Sequence, residues 1–187
     1  MRRIDTAIDG VCLIEPVVHG DHRGFFMESY HKDLFAALGI EHDFVQDNHS
    51  RSRSGVLRGL HYQLGRPQAK LVRATRGRVF DVVVDLRRGS STFGRWVGAE
   101  LSEENRRMLY APAGLGHGFV VLSEIAEFQY KCSDFYAPEE ERGIRWDDPS
   151  IAIDWPLDGL DPVLSDRDLT WPHLENVPET DLPKVRT

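Results

Sequence analysis

RVFDVVVDL, residues 78–86, is the clearest predicted β-strand of the chain and indicates the fold class. Successive side chains of a strand point to opposite faces, so residues two apart share a face. One face carries Phe80, Val82, Val84 and Leu86, and the other carries Val79, Asp81, Val83 and Asp85. The first face is wholly apolar and needs a core to cover it. The two carboxylates predict that the second face meets water, a cavity or a partner.

Other short apolar runs are separated by clusters of Gly, Pro, Asn and Asp, as in sandwiches and barrels. Strands are predicted at residues 11–15, 24–30, 69–75, 94–101, 107–111, 118–122 and 127–132. Many short strands with little helix indicate an all-β fold, a double-sheet jelly roll or barrel with a few short helices. We expect one domain over residues 1–187, with an irregular tail from about residue 172.

Helical signals are few. Leu34, Phe35 and Leu38 share a helical face that ends at Gly39. A short turn is predicted from Ser102 in LSEEN. Another is predicted in LSDRD, residues 164–168, where a serine and an aspartate have capping-box spacing and a later proline ends the helix.

Composition excludes several function classes. The 187 residues are 41% hydrophobic and 28% charged, as in an ordinary globular protein, and the net charge of −7 argues against nucleic-acid binding. No run approaches the roughly 18 apolar residues of a membrane span, and the N-terminus lacks the apolar region of a secretory signal. Cys12 and Cys132 form no CxxC pattern and are expected to be reduced thiols of a cytoplasmic protein.

The run 46–63, QDNHSRSRSGVLRGLHYQ, holds more polar chemistry than a strand built only for packing. An unperturbed imidazole titrates near about 6.5, which suits a proton acceptor at physiological pH, so His61 is a candidate base. If Arg58 is buried it needs an anion, such as a ligand phosphate. Strict alternation would put these two side chains on opposite faces. We therefore predict a bulge or sharp bend near Gly59 that brings both to one cavity.

Other stretches supply candidate proton-transfer and charge-stabilising groups. Lys70 follows a GRPQ turn after His61, so a hairpin would bring it near to stabilise an oxyanion. Tyr130 lies in EFQYKC, and a phenol can give a proton to a carbanion and recover it. His117 lies in GLGHGF, where the glycines suggest close backbone approach. Asp168 can accept the other N–H of His61, fix its tautomer and stabilise the imidazolium.

These residues also have purely structural interpretations. A histidine alone is more often a hydrogen-bonded core residue than a catalytic one. Lys70 can be a solvated lysine at a strand start, Tyr130 a packed aromatic residue and Asp168 a helix-start carboxylate.

DHRGFFMES, residues 21–29, holds a candidate phosphate ligand. Arg23 can bind a phosphate bidentately or lie on the surface beside a buried phenylalanine. Phe25 and Phe26 have opposite parity, so at most one points into any given cavity.

Metal and nucleotide-cofactor motifs are weak or missing. PAGLGH resembles the second half of a cupin metal signature, but the first half is broken because Tyr62 and Gln63 follow His61. His61 and His117 alone are too few ligands, so we predict no catalytic metal. The sequence contains neither a P-loop nor GxGxxG, and no cofactor is expected.

Taken together, these stretches resemble the dTDP-4-dehydrorhamnose 3,5-epimerase family. The motifs are DHRGFFMES, QDNHSRSRSGVLRGLHYQ, AKLVRATRGRVFDVVVDLRRGSSTFGRW, LSEEN, PAGLGHGFVVLSEIAEFQYKCSDFY, WDDPSIAIDWP and LSDRD, from about residue 21 to residue 168. The resemblance implies a cupin jelly roll and a metal-free cytoplasmic homodimer. It also implies epimerisation of a dTDP-4-keto-6-deoxyhexose at C3 and C5.

The resemblance also implies roles for individual residues. His61 matches the base and Asp168 its carboxylate partner. Tyr130 matches the acid, and Lys70 the residue near the developing enolate. The positions matched to the lining of the nucleotide-sugar site are Arg23, Phe26, Glu28, Gln46, Asn48, Arg58 and His117.

Three alternatives remain open from the sequence. A related enzyme that inverts only C3 or only C5 would carry the same motifs. A metal-dependent cupin enzyme would need further ligands, and a non-catalytic nucleotide-sugar-binding jelly roll would explain only the arginines. The chain departs from the family pattern at Ser91, where proline is usual, and at Gly116, where alanine is frequent, which affects loop geometry only.

Overall fold

Two antiparallel β-sheets form the body of the molecule, and a separate hairpin lies outside them. The computed structural model describes residues 1–159 and 161–185. The first sheet contains β1 (Arg2–Asp5), β2 (Cys12–Glu15), β5 (Gln46–Arg53), β7 (Lys70–Arg76), β10 (Met108–Ala111) and β12 (Ile125–Cys132). The second contains β6 (Leu57–Gln63), β8 (Arg78–Asp85), β9 (Trp96–Ser102), β11 (Leu115–Val121) and β13 (Glu141–Gly143). The hairpin consists of β3 (Val18–Asp21) and β4 (Gly24–Met27).

The strand order is that of a double-sheet jelly roll. The first sheet runs β1-β2-β10-β7-β12-β5 and the second runs β13-β6-β11-β8-β9. From β5 onward the chain changes sheet at every connection except the one between β8 and β9. Residues that follow one another along the chain therefore face one another across the interior. The prediction of an all-β double-sheet fold is confirmed.

The polar run 46–63 is two strands rather than one. Its first half is β5 at the edge of the first sheet, and its second half is β6 in the second sheet. A turn at residues 54–56 joins them, and Gly55 takes the positive φ of 76° that this reversal requires. The interpretation of 46–63 as one strand-like stretch was wrong, because the Ser54-Gly55 turn divides it.

Both faces of β8 are covered. Val79 and Val83 face the space between the sheets and pack with Phe128. The opposite face, with Val82 and Val84, packs under the chain that follows β13. The predicted polar face is fully buried, since Asp81 and Asp85 have no solvent exposure.

Asp85 is held by the turn that follows its strand. Its carboxylate accepts hydrogen bonds from Arg87 Nε at 2.9 Å and from the hydroxyls of Ser90 and Thr92 at 2.6 Å each. The serine at position 91 leaves this arrangement intact. Asp85 therefore stabilises the turn that precedes β9.

The short helices occur where the sequence predicts them. Helix α1 (Lys32–Ala37) buries Phe35 against the outer face of the first sheet, and Gly39 follows it with a φ of 80°. Helix α2 (Asp166–Thr170) begins at the cap Ser165, whose hydroxyl accepts the Asp168 N–H at 3.2 Å.

The remaining helical turns are short 3-10 segments, at Pro138–Glu140, Leu174–Asn176 and Glu179–Asp181. The last two lie in the irregular tail, which packs against the second sheet. Along residues 1–159 and 161–185, no helix has the length and apolar character needed to cross a membrane. Cys12 and Cys132 are free and buried.

Candidate active site

A cavity of about 400 Å³ lies between the two sheets. Its walls include Arg58, His61, Lys70, His117, Tyr130 and Asp168. A second cavity of about 300 Å³ shares His61, Lys70 and Tyr130 with the first. The shared residues come from β6, β7 and β12, so the two cavities form one site with walls from both sheets.

A bulge at Gly59 brings two of the predicted residues to one cavity. In the ladder between β11 and β6, His117 pairs with His61 and Phe119 pairs with Arg58. Two steps along β11 therefore match three steps along β6, which is one extra residue. Gly59 has a φ of 127°, and its peptide bond to Leu60 is cis. The predicted bulge is confirmed, and Arg58 and His61 line the same space.

His61 is held by a buried carboxylate from α2. His61 Nε2 lies 2.5 Å from Asp168 Oδ1, and Asp168 is only 3% exposed. Burial raises the pKa of the Asp168 carboxyl, but hydrogen bonds from His61 and Ser165 outweigh it, so the net pKa is lowered. The carboxylate is therefore ionised and accepts the Nε2 proton. This leaves a lone pair on Nδ1 as the basic site.

Tyr130 and Lys70 approach the cavity from the other sheet. Tyr130 pairs with Val72 across the ladder between β12 and β7, and Val72 is two residues from Lys70. Both side chains therefore point to the same inner face. Desolvation raises the pKa of Tyr130 and lowers the pKa of Lys70. A base from one sheet thus faces a phenol and an amine from the other.

His117 adds a second histidine–carboxylate pair. Its Nε2 lies 2.9 Å from Oδ2 of Asp81, and its ring stacks on Phe128 with centroids 6.3 Å apart. His117 pairs with His61 across the strands, so both rings face the cavity. The sequence singled out His117 but not its partner, because Asp81 lies 36 residues away.

Arg58, Gln46 and Asn48 supply polar groups around the cavity. The Arg58 guanidinium donates to Ser52 Oγ at 3.1 Å and makes no ion pair within residues 1–159 and 161–185. Gln46 and Asn48 lie on β5, on the face shared with Tyr130, and line the smaller cavity. Arg58 is therefore free to bind an anion.

Comparisons with known proteins identify the family of the chain. The family model described as dTDP-4-dehydrorhamnose 3,5-epimerase matches residues 5–176. The dTDP-4-dehydrorhamnose 3,5-epimerase of Pseudomonas aeruginosa is 62% identical over 169 residues, 90% of this chain and 93% of that protein. The chain belongs to the dTDP-4-dehydrorhamnose 3,5-epimerase family.

Solved structures of the epimerase family share the fold over nearly the whole chain. The dTDP-6-deoxy-D-glucose-3,5-epimerase of Legionella pneumophila, in complex with dTDP-4-keto-L-rhamnose, is 50% identical with a TM-score of 0.96. That match covers 100% of this chain and 99% of the other. ChmJ of Streptomyces bikiniensis, a 3′-monoepimerase, is 40% identical with a TM-score of 0.89, over 96% of this chain and 91% of that one.

Three positions that the family resemblance assigns to the site lie away from the cavity of their own chain. Arg23, Phe26 and Glu28 lie in or beside the β3–β4 hairpin and line neither cavity. Phe26 is 67% exposed, and Arg23 pairs with Asp21 at 2.6 Å. Within residues 1–159 and 161–185 the two hairpin strands pair only with each other, so no ladder connects these residues to the interior.

Sequence reasoning missed three residues at the edge of the cavities. Arg167, beside Asp168, contacts the carboxylate of Glu141. The Tyr136 hydroxyl donates to the same carboxylate at 2.9 Å. The only signal for Arg167 was its position next to Asp168. Tyr136 and Glu141 looked like ordinary loop residues.

The described residues offer no set of side chains arranged to bind a metal ion. Among the described residues, no three His, Cys, Asp or Glu side chains are placed to hold a metal ion. His61 and His117 each have Nε2 beside a carboxylate instead.

Proposed function

We propose that the protein is a dTDP-4-dehydrorhamnose 3,5-epimerase. It converts dTDP-4-dehydro-6-deoxy-D-glucose to dTDP-4-dehydro-L-rhamnose by inverting C3 and C5. The observation that carries this proposal is the placement of His61 and Tyr130 on opposite sheets around one cavity, with Lys70 beside them. Inversion requires a proton to leave one face of the sugar and return to the other.

The substrate's own 4-keto group makes the reaction possible without a cofactor. It acidifies the C–H bonds at C3 and C5 because the resulting charge moves to the C4 oxygen. His61 removes the proton through Nδ1, and Asp168 stabilises the imidazolium that forms. The Lys70 ammonium donates to the enolate oxygen, an interaction worth about 3 kcal/mol of barrier.

Tyr130 returns a proton to the opposite face. Desolvation holds its pKa above the ordinary value, so the phenol is protonated at neutral pH and ready to donate. After one centre is inverted, His61 carries a proton and Tyr130 lacks one. Both must be reset before the second centre reacts, and the partly exposed side chain of His61 gives water access for its exchange.

The nucleotide diphosphate occupies the polar side of the cavity. Arg58 binds the diphosphate, and Gln46 and Asn48 orient the nucleotide. Tyr136 is an exposed aromatic ring at the smaller cavity, fixed at its backbone by Gln46 Oε1 at 2.9 Å and at its hydroxyl by Glu141. A ring held at both ends with an open face suits stacking on thymine.

We infer that the active form is a homodimer whose hairpins are exchanged. Arg23, Phe26 and Glu28 match positions of the family's nucleotide-sugar site but do not reach their own cavity. The hairpin strands are exposed almost throughout, which leaves them free to cover the site of a neighbouring subunit. Exposed aromatic residues on such a hairpin are accounted for by burial against the partner.

The proposed reaction is tested by proton exchange with solvent. The protein is incubated with dTDP-4-keto-6-deoxy-D-glucose in D₂O, and the product is followed by NMR. We expect deuterium at both C3 and C5 with inversion at both. Deuterium at one carbon only would identify a monoepimerase, the activity named for ChmJ. No exchange from folded protein would refute the proposal.

Mixing two inactive variants tests the exchanged hairpin. A His61→Ala subunit is co-expressed with a subunit carrying Arg23→Ala and Phe26→Ala. If hairpins serve the neighbour, each mixed dimer has one site with both defects and one intact site. We expect activity to return to roughly one quarter of wild type, since half of the dimers are mixed.

The matched control mixes His61→Ala with Lys70→Ala. Both residues lie in the cavity of their own chain, so no mixed dimer has an intact site and no activity should return. If the hairpin mixture is as inactive as this control while mixed dimers form, the hairpin serves its own subunit.

A further inference from the structure

Asp81 is a buried carboxylate, and one of its two oxygens lacks a hydrogen-bond partner among the described residues. It has no solvent exposure, and Oδ2 lies 2.9 Å from His117 Nε2. Oδ1 is buried and has no hydrogen-bond partner among the described residues. A buried polar atom in this condition is costly and rare in native proteins, so its retention calls for a physical reason.

A lysine on the opposite sheet, Lys70, provides that physical reason. Asp81 is between Val79 and Val83 on the inner face of β8, and these valines pack in one cluster with Val72 of β7. Lys70 is two residues from Val72, on the same face. Its ammonium makes no hydrogen bond or ion pair with the described residues. Asp81 and Lys70 thus lie on the inner faces of the two opposing sheets, on either side of one apolar cluster.

We propose that Asp81 is a positioning residue for the epimerisation: its carboxylate is the buried counter-charge that keeps Lys70 an ammonium ion while also holding His117. This inference rests on the proposed function, in which a charged Lys70 stabilises the enolate. Asp81 does not touch the substrate and acts through the two residues beside it.

Other charged and titratable groups face Lys70, and most are already compensated. They are Arg58 and His61 from β6, His117 from β11, Tyr130 and Cys132 from β12, Glu141 from β13, and Arg167 and Asp168 from α2. Glu141 is neutralised by Arg167. Both oxygens of Asp168 are taken, by His61 and by Ser165. Of the three carboxylates Glu141, Asp168 and Asp81 in the described part of the chain, only Asp81 has a buried oxygen without a hydrogen-bond partner.

Desolvation gives Lys70 a net lowered pKa and Asp81 a net raised pKa, and each of the two groups partly offsets the shift of the other. Desolvation lowers the pKa of Lys70, and the charges of Cys132, Glu141 and Asp81 oppose that shift. Desolvation raises the pKa of Asp81, opposed by His117 and then by Lys70. A neutral Lys70 amine no longer stabilises the enolate as a cation, so we expect the alkaline fall of kcat to report Lys70.

An Asp81→Asn variant separates charge from shape. The asparagine oxygen can still accept the His117 N–H, so a purely structural role would be preserved. Loss of the negative charge removes support for the Lys70 ammonium. We expect the alkaline limb of kcat to move to lower pH by about one unit. At pH values above the wild-type alkaline limb, the kcat of Asp81→Asn should then be about tenfold lower than that of wild type at the same pH.

Asp85→Asn is the matched control, a buried carboxylate on the same strand that serves a turn instead of the cavity. Its alkaline limb should stay at the wild-type position even if its Tm falls. If Asp81→Asn does not fold, Asp81→Ser provides the same loss of charge with less volume.

An unchanged alkaline limb in either folded Asp81 variant would overturn the inference. A wild-type protein without epimerase activity would instead refute the proposed function. The two failures are therefore distinguishable in one set of measurements.

Discussion

A His61→Ala variant is expected to lose solvent exchange at C3 and C5 together with epimerisation. The loss should be about 10²- to 10⁴-fold, the usual contribution of a positioned general base. Within the proposed mechanism, no other imidazole has Asp168 behind it to stabilise the protonated form. NMR measures exchange and inversion in the same sample in D₂O.

Tyr130→Phe should give a different pattern. His61 remains able to remove the proton, so exchange should continue while inversion falls, because the donor on the opposite face is missing. The ratio of exchange to inversion therefore distinguishes the base from the acid. Normal inversion by Tyr130→Phe would remove Tyr130 from the mechanism.

His49→Ala is the control for loss of an imidazole. His49 pairs with Glu127 at 3.2 Å on the half-exposed edge strand β5 and lines neither cavity of the site. Its exchange and inversion rates should match wild type. A His61→Ala protein that exchanges as fast as His49→Ala would exclude His61 as the base.

A Gly59→Ala variant is expected to lose most of the stability of the fold. The added Cβ would lie 2.5 Å from Gly118 Cα and 2.8 Å from the carbonyl oxygen of His117, both backbone atoms that cannot rotate away. The φ of 127° adds strain for any residue with a side chain. We expect the free energy of unfolding to fall by about 3–5 kcal/mol, measured by urea denaturation.

Gly55→Ala is the matched control. Gly55 also has a positive φ, 76°, but a Cβ there would meet nothing within 4 Å. The free energy of unfolding should fall only by the cost of placing alanine at a positive φ, about 1–2 kcal/mol. Equal losses for the two variants would show that the close approach of β6 and β11 at Gly59 adds nothing to the cost.

Local pattern was sufficient for the fold class and for many of its elements. The wholly apolar face formed by every second residue of 78–86 predicts β8, and the serine–aspartate spacing in LSDRD predicts the cap of α2. Parity, together with the expectation that Arg58 and His61 line one cavity, also predicted the bulge at Gly59. These inferences hold because periodicity and capping depend on residues a few positions apart.

Tertiary structure was needed wherever function depends on residues that are far apart along the chain. His61 meets Asp168 across 107 residues, and His117 meets Asp81 across 36. The separation of two residues along the chain does not predict such contacts, because they depend on which strands the jelly roll places face to face. The division of 46–63 into two strands in opposite sheets had the same origin. Pairing energy and burial of both sheets, rather than local propensity, determine where β5 ends and β6 begins.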